Sequence, residues 1–215
     1  ALFEKQHGIK TLPVIRENWK RCQVDVENGH IDMILGANKT PERSKVFHYL
    51  AQPAFINKSL MSAYALTNNQ RVSKVTTLEA LAQYRLATDR GNSYGNKIDE
   101  FLKNLPKKNR RASNTQEDVF RMIIANRKDY FFNQDSSLQS TLDKHSQIIP
   151  KLKKLTFKKI FTLEREVPVY MAFTKNKGVY ERFNSLWITT LNQYYKEVNI
   201  HERIEFHNHN SLNYK

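Results

Sequence analysis

Apolar residues return at helical spacing most clearly near the end of the chain. Val179, Phe183, Leu186, Trp187, Thr190, Leu191 and Tyr194 form one broad face over four turns, predicting a long helix to about Lys196. A second helix is predicted from about Glu17 to Asn28, with Trp19, Cys22 and Val26 on one face and Gly29 as its stop. Thr76–Glu79 fits a capping box opening a short helix to about Gln83. Asn114 or Thr115, with Asp118, opens another that reaches about Asn126. Further helices are read from Gly95 to Asn104 and from Ser136 to His145. Between them lie runs of β character: Ile9–Ile15, Ile31–Leu35, Lys58–Thr67, Tyr84–Thr88, Arg111–Ser113, Tyr130–Asn133 and Pro168–Thr174. Lys151–Lys159 is basic and reads as extended, and the opening Ala1–Gln6 reads as the tail of a helix.

Strands alternating with helices predict an α/β fold built of βαβ units on a mostly parallel sheet. In such sheets ligands bind outside the carboxyl ends of strands, where loops meet helix N-termini. Two loops suit that place: Gly36 to Arg43 and Gly91 to Gly95, each following a strand. Both carry small amide or hydroxyl side chains and offer backbone N–H groups to an anion. Arg43 adds a planar fork that grips a carboxylate through two parallel hydrogen bonds.

Charge narrows the partners. The 215 residues carry 35 Lys and Arg against 21 Asp and Glu, a formal charge of +14, which favours anionic solutes or surfaces. The basic residues are spread along the chain, with short runs such as Lys107–Arg111, and no nucleic-acid-binding signature accompanies them, so no nucleic-acid partner is expected. The single cysteine, Cys22, excludes an internal disulfide, and its place on an apolar helix face predicts core packing rather than nucleophilic chemistry. No run of about 18 apolar residues is present, so no membrane span is predicted. His201, His207 and His209 match no metal-ligand spacing, and no metal or cofactor is expected.

Several segments, in order, resemble family 3 of the bacterial extracellular solute-binding proteins. Glu27-Asn28-Gly29-His30-Ile31-Asp32 followed by Thr40-Pro41-Glu42-Arg43 is similar to the family's first-lobe motif, and Phe47–Phe55 to the aromatic stretch after it. Arg90–Gly95, Ile124–Phe131 and Pro168–Lys175 resemble the second-lobe loop, its later strand and the return strand. The likeness runs from about residue 5 to 195. It implies a two-lobed, type II periplasmic-binding-protein-like fold with a hinge and an interlobe cleft. Lobe 1 would comprise residues 1–65 and 172–215, without the family's first strand, and lobe 2 residues 66–171.

The resemblance also implies a function: periplasmic capture of a small polar, carboxylate-bearing solute for an ABC importer, without chemistry on it. The same clamp serves as a ligand-sensing module of signalling proteins, and a few relatives are enzymes. An enzyme needs an acid/base pair at the cleft, and Glu42 has no evident partner, so no catalytic residue is expected. By position, Arg43 falls where the family holds the ligand carboxylate, with Asn38 and Thr40 beside it and Asn92 and Ser93 in the second-lobe loop. The family's acidic amino-group acceptor falls on Gln134, with Asp135 next to it. A neutral amide holds an ammonium less well than a carboxylate does.

Overall fold

The structure is a computed structural model describing residues 1–16, 18–72, 75–176 and 178–197. Helix α1 (Leu2–His7) stops at Gly8 and is followed by an irregular stretch. Next come α2 (Trp19–Glu27), β1 (Met33–Asn38), the single turn α3 (Pro41–Ser44), β2 (Phe47–Tyr49) and the long β3 (Phe55–Leu66). After a 3₁₀ turn at Glu79–Gln83 the chain alternates: β4 (Leu86–Asp89), α4 (Asn96–Asn104), β5 (Arg110–Ser113), α5 (Gln116–Ile124), β6 (Tyr130–Gln134) and α6 (Leu138–Ser146). The 18-residue β7 (Phe157–Thr174) and α7 (Val179–Glu197) complete it.

The chain divides into two compact units: Ala1–Asn57 together with the segment from Val167, and Lys58–Glu166. Strands β3 and β7 each run from one unit into the other.

In the first unit, the C-terminal part of β7 lies between β1 and β2 and is antiparallel to both, Ala172 pairing with Ile34 and with Tyr49. The two-residue period of a strand sends alternate β7 side chains to opposite faces. Ala172 meets Val26 of α2, Ile34, Ala37, Phe47 and Tyr49. Met171 and Phe173 meet Leu50 with Val179 and Leu191 of α7. Phe3 of α1 stacks on Trp187 of α7 at 4.0 Å. Gly29 ends α2 at φ 74°, and a Cβ there would come within 3.1 Å of Asn176, so both backbone and space select glycine.

In the second unit the sheet order is β7-β3-β6-β4-β5. Side chains again divide by alternation. Met61, Ala63, Leu86, Tyr130 and Phe132 face Ile98 and Leu102 of α4. Tyr64, Ala87 and Phe131 face Val119, Phe120 and Ile123 of α5. Both faces of the central strands are therefore dry, which is why Met61–Leu66 is buried continuously while Phe55–Leu60 alternates. Thr115 caps α5, its hydroxyl accepting the Asp118 N–H at 3.2 Å. Thr115→Ala is expected to cost about 1 kcal/mol, read as a lowered midpoint in urea unfolding.

Three expectations are corrected. Residues 9–15 form no strand: Leu12 is 74% and Ile15 91% exposed, Pro13 lacks a donor, and Thr11 instead ties its N–H and hydroxyl to the Glu4 carboxylate. Lys151–Lys159 is not extended throughout, because Pro150–Lys154 is a 3₁₀ turn and the strand begins at Phe157. The sheet is mixed rather than mostly parallel. β4 pairs in parallel with β5 and with β6, the three being joined by helical crossovers. β3 is antiparallel to β6, and β7 to β1 and β2, because these two segments pass between units instead of belonging to a βαβ repeat.

Candidate functional site

In the first unit the candidate residues come from one turn of chain at the carboxyl end of β1. Asn38 ends the strand, and Thr40 caps α3 by accepting the Arg43 N–H at 3.2 Å, with Pro41 at the first helical position. This cap sets the direction of Arg43. Its guanidinium is buried, donates through Nη1 to the Asn38 carbonyl at 2.8 Å, and lies over the Trp19 ring at 5.6 Å. The Tyr49 hydroxyl donates to the same carbonyl at 3.4 Å. Beside it, the Lys39 ammonium sits between the rings of Tyr49 and Tyr170, at 5.7 and 5.6 Å. Burial pushes the Tyr49 hydroxyl up to about 12, against the opposing charge of Arg43, so the ring stays neutral. Two cations on an aromatic floor can receive an anion. Trp19 thus joins the core and also supports Arg43. Cys22 packs in the same cluster, and burial raises its thiol pKa, which makes it a poor nucleophile.

In the second unit the candidate residues gather at the carboxyl edge of the parallel strands. The loop after β4 is fixed from within. Ser93 donates to Asp99 Oδ2 at 2.5 Å, the Tyr94 N–H donates to Asp99 Oδ1 at 2.7 Å, and the Asn92 amide donates to Asp89 Oδ2 at 3.1 Å. Asn92 is exposed and Ser93 half-buried. On β6, the Gln134 amide donates to Ser59 at 3.0 Å, and Ser59 also accepts from Arg165 Nε at 2.9 Å. Asp135 accepts from Tyr64 at 2.8 Å and from the Lys159 ammonium. Burial pushes its carboxyl up, but hydrogen bonds from Lys159, Ser62 and Tyr64 outweigh burial and hold it below the ordinary range.

Asn38, Thr40 and Arg43 are therefore brought together in one unit, and Asn92, Ser93, Gln134 and Asp135 lie along one sheet edge of the other. Sequence reasoning missed Lys39 with its two tyrosines. It also missed the pair of Glu117 Oε1 with His145 Nδ1 at 2.8 Å, which no spacing rule reveals.

At the opposite end of the same strands a recess of about 430 Å³ is lined by Arg71, Tyr84, Arg85 and Asp129. Arg85 binds Asp129 through Nε and Nη2, at 2.9 and 2.8 Å, and its charge is answered there. Among the described residues no group of three metal-ligating side chains occurs, and no helix is long and apolar enough to cross a membrane. His201, His207 and His209 lie outside the described residues.

No protein-family model and no curated protein sequence matches the chain. Solved structures do. A histidine kinase sensor domain with similarity to periplasmic binding proteins superposes with a TM-score of 0.68 at 15% identity, over 91% of this chain and 77% of the other. An ancestral arginine-binding protein bound to arginine gives 0.67 at 15% identity, over 91% and 79%. An ancestral amino-acid-binding protein, described as a precursor of cyclohexadienyl dehydratase, gives 0.60 at 18% identity, over 91% and 76%. The neighbours are mostly binding proteins. At such identities they establish architecture, and the chain has the Venus flytrap fold of the amino-acid-binding periplasmic proteins, the fold that its resemblance to solute-binding family 3 implied.

Proposed function

We propose that the chain is an extracytoplasmic solute receptor that captures a small polar molecule bearing a carboxylate, such as an amino acid, and performs no chemistry on it. Arg43, with Thr40 and Asn38, receives the carboxylate; Asn92 and Ser93 add the second-unit contacts, with Gln134 and Asp135 along the same edge. The two lobes of such a receptor correspond to the two compact units, which part between residues 57 and 58 and between 166 and 167, a few residues from the bounds 1–65 with 172–215 and 66–171 that the resemblance implies. Such a receptor works in the periplasm and hands its solute to an ABC importer. One observation carries this reading: a buried guanidinium, oriented by a helix cap and an aromatic face, at the carboxyl end of a strand. A sensory role in a signalling protein is the second reading, favoured by the likeness to a histidine kinase sensor domain.

Thermal unfolding against a panel of L-amino acids, small carboxylates and short peptides tests the proposal. A solute at about 100 times its Kd is expected to stabilise the protein by about 2.7 kcal/mol. Arg43→Lys keeps the charge but loses the planar fork, and is expected to weaken binding roughly 10- to 100-fold. No stabilisation by any member of the panel would overturn the receptor reading. Binding that survives Arg43→Lys unchanged would remove Arg43 from the site.

A further inference from the structure

The short basic runs of the sequence meet at one end of the second unit. The parallel register pairs Leu86 with Arg110 and with Tyr130, so the run Lys107–Arg111 and the pair Arg127-Lys128 both stand at the amino edge of the strands. A third run joins them. Tyr64 of β3 pairs with Phe131, so β3 ends beside the start of β6, and there the Thr67 N–H donates to the Thr156 carbonyl at 3.0 Å. The 3₁₀ turn Pro150–Lys154, just before β7, therefore lies at the same edge. Ile149 and Leu152 anchor the turn in the core, which leaves Lys151, Lys153 and Lys154 exposed.

The protein does not answer these cations. Among the described residues, no side chain of the three runs forms an ion pair with a carboxylate. Asp129 is committed to Arg85 and Arg71, and the other acids nearby, Glu79 and Asp143, are exposed. Helices α4, α5 and α6 end at this edge, but each offers only about half a negative charge, less than one per run. Burial and the charges of Arg85 and Arg111, against that of Asp129, hold the Lys128 ammonium below its ordinary value, as expected where cations crowd together.

The chemistry of the partner follows from how the charge is laid out. From β5 to β7 the sheet crosses four strand spacings, roughly 19 Å, and the runs span that width instead of converging on one point. The recess beside them is no anion pocket, because Asp129 already occupies the Arg85 guanidinium. A broad, unfocused array suits many mobile anions better than one shaped ligand. Next to the third run stands Ile148, 58% exposed, an aliphatic side chain that suits the boundary between headgroups and acyl chains. Among the described residues of this unit no aromatic side chain is exposed to stack on a nucleic-acid base.

We infer that the amino edge of the second unit is a docking face for an anionic lipid bilayer, its three basic runs meeting the headgroup phosphates. Asn92, Ser93, Gln134 and Asp135 lie at the opposite, carboxyl edge of the same strands, so docking leaves that edge open to a solute. The inference does not depend on which solute the protein takes, or on whether it takes one.

Cosedimentation of the full chain with vesicles tests it. Vesicles of phosphatidylcholine with about 30% phosphatidylglycerol are expected to bind the protein, increasingly weakly as salt rises, and vesicles of phosphatidylcholine alone are not. The triple variant Lys151→Gln, Lys153→Gln, Lys154→Gln is expected to bind the anionic vesicles roughly 100-fold more weakly, about a factor of five per lysine. A control with the same change of net charge, Lys5→Gln, Lys10→Gln, Lys20→Gln in the first unit, is expected to stay within about twofold of wild type. All six lysines are exposed, so both variants should keep the circular dichroism and melting temperature of wild type. Equal binding to both kinds of vesicle, or equal loss in the two variants, would overturn the inference. So would binding to a DNA duplex or to polyglutamate without binding to anionic vesicles. None of these outcomes bears on the solute panel, so the receptor reading stands or falls separately.

Discussion

Phe131→Ala is expected to lower the stability of the protein by about 4 kcal/mol, within the roughly 3–5 kcal/mol range for emptying a buried aromatic site. Phe131 is 1% exposed at the middle of the second unit's sheet, on β6 between β3 and β4. Its ring meets Phe120 of α5 edge-on at 5.4 Å and Phe157 of β7 edge-on at 5.6 Å, with Tyr64 at 6.0 Å. Each such pair adds roughly 0.5–1.5 kcal/mol beyond burial. Strands and helix meet there, so the cavity cannot close by moving one side chain. Urea unfolding followed by far-UV circular dichroism measures the loss. A change below about 1.5 kcal/mol would mean that the site collapses far more readily than its packing implies.

Asp129→Ala is the second large effect, expected at about 3 kcal/mol. Removing one partner of a buried ion pair costs about 3–5 kcal/mol, and the low end applies because the Arg85 side chain is 34% exposed and can turn to water. Asp129 itself is 3% exposed. It accepts the Arg85 backbone N–H at 2.9 Å as well as the guanidinium, and Arg71 lies 3.7 Å away. Burial pushes its carboxyl up, but the hydrogen bonds from the Arg85 side chain and backbone, with both arginine charges, hold it below the ordinary value. Its folded pKa is depressed, so its contribution is fully present above the unfolded value of about 3.9 and is lost as pH falls through the lower folded value. The difference in stability between wild type and Asp129→Ala should therefore be constant at neutral pH and shrink in acid below about pH 4. A difference that stays the same from neutral pH down to about pH 3 would contradict this account.

Legibility from sequence followed the range of the interactions. The cap of α5, which spacing left between Asn114 and Thr115, the stop at Gly29 and the apolar face of α7 are local, and the structure shows the cap at Thr115 and the other two where spacing placed them. The parallel trio of strands was also legible, because helical crossovers encode it. Residues 9–15 have the composition of a strand, but pairing depends on a neighbour, and composition carries no knowledge of one. The length of β7 was hidden because its first half alternates with exposed, charged positions such as Glu164 and Glu166. At the candidate site, Arg43 stood out by residue type and by its place in the loop. Lys39 did not, since what distinguishes it is a place between the rings of Tyr49 and Tyr170, and that is a matter of three-dimensional placement.

The division of the chain has a consequence for the order in which the protein comes into being. The second unit is one uninterrupted stretch, Lys58–Glu166, whereas the first is split around it. On a ribosome, β1 and β2 emerge early, yet their partner segment of β7 follows Tyr49 by about 120 residues, so their pairing is among the slow, non-local events of folding. Until then Ile34, Phe47 and Tyr49, buried in the finished protein, have no sheet to cover them. The nascent first unit is thus the part of the molecule most exposed to aggregation and most in need of a chaperone, while the second unit can complete itself ahead of it.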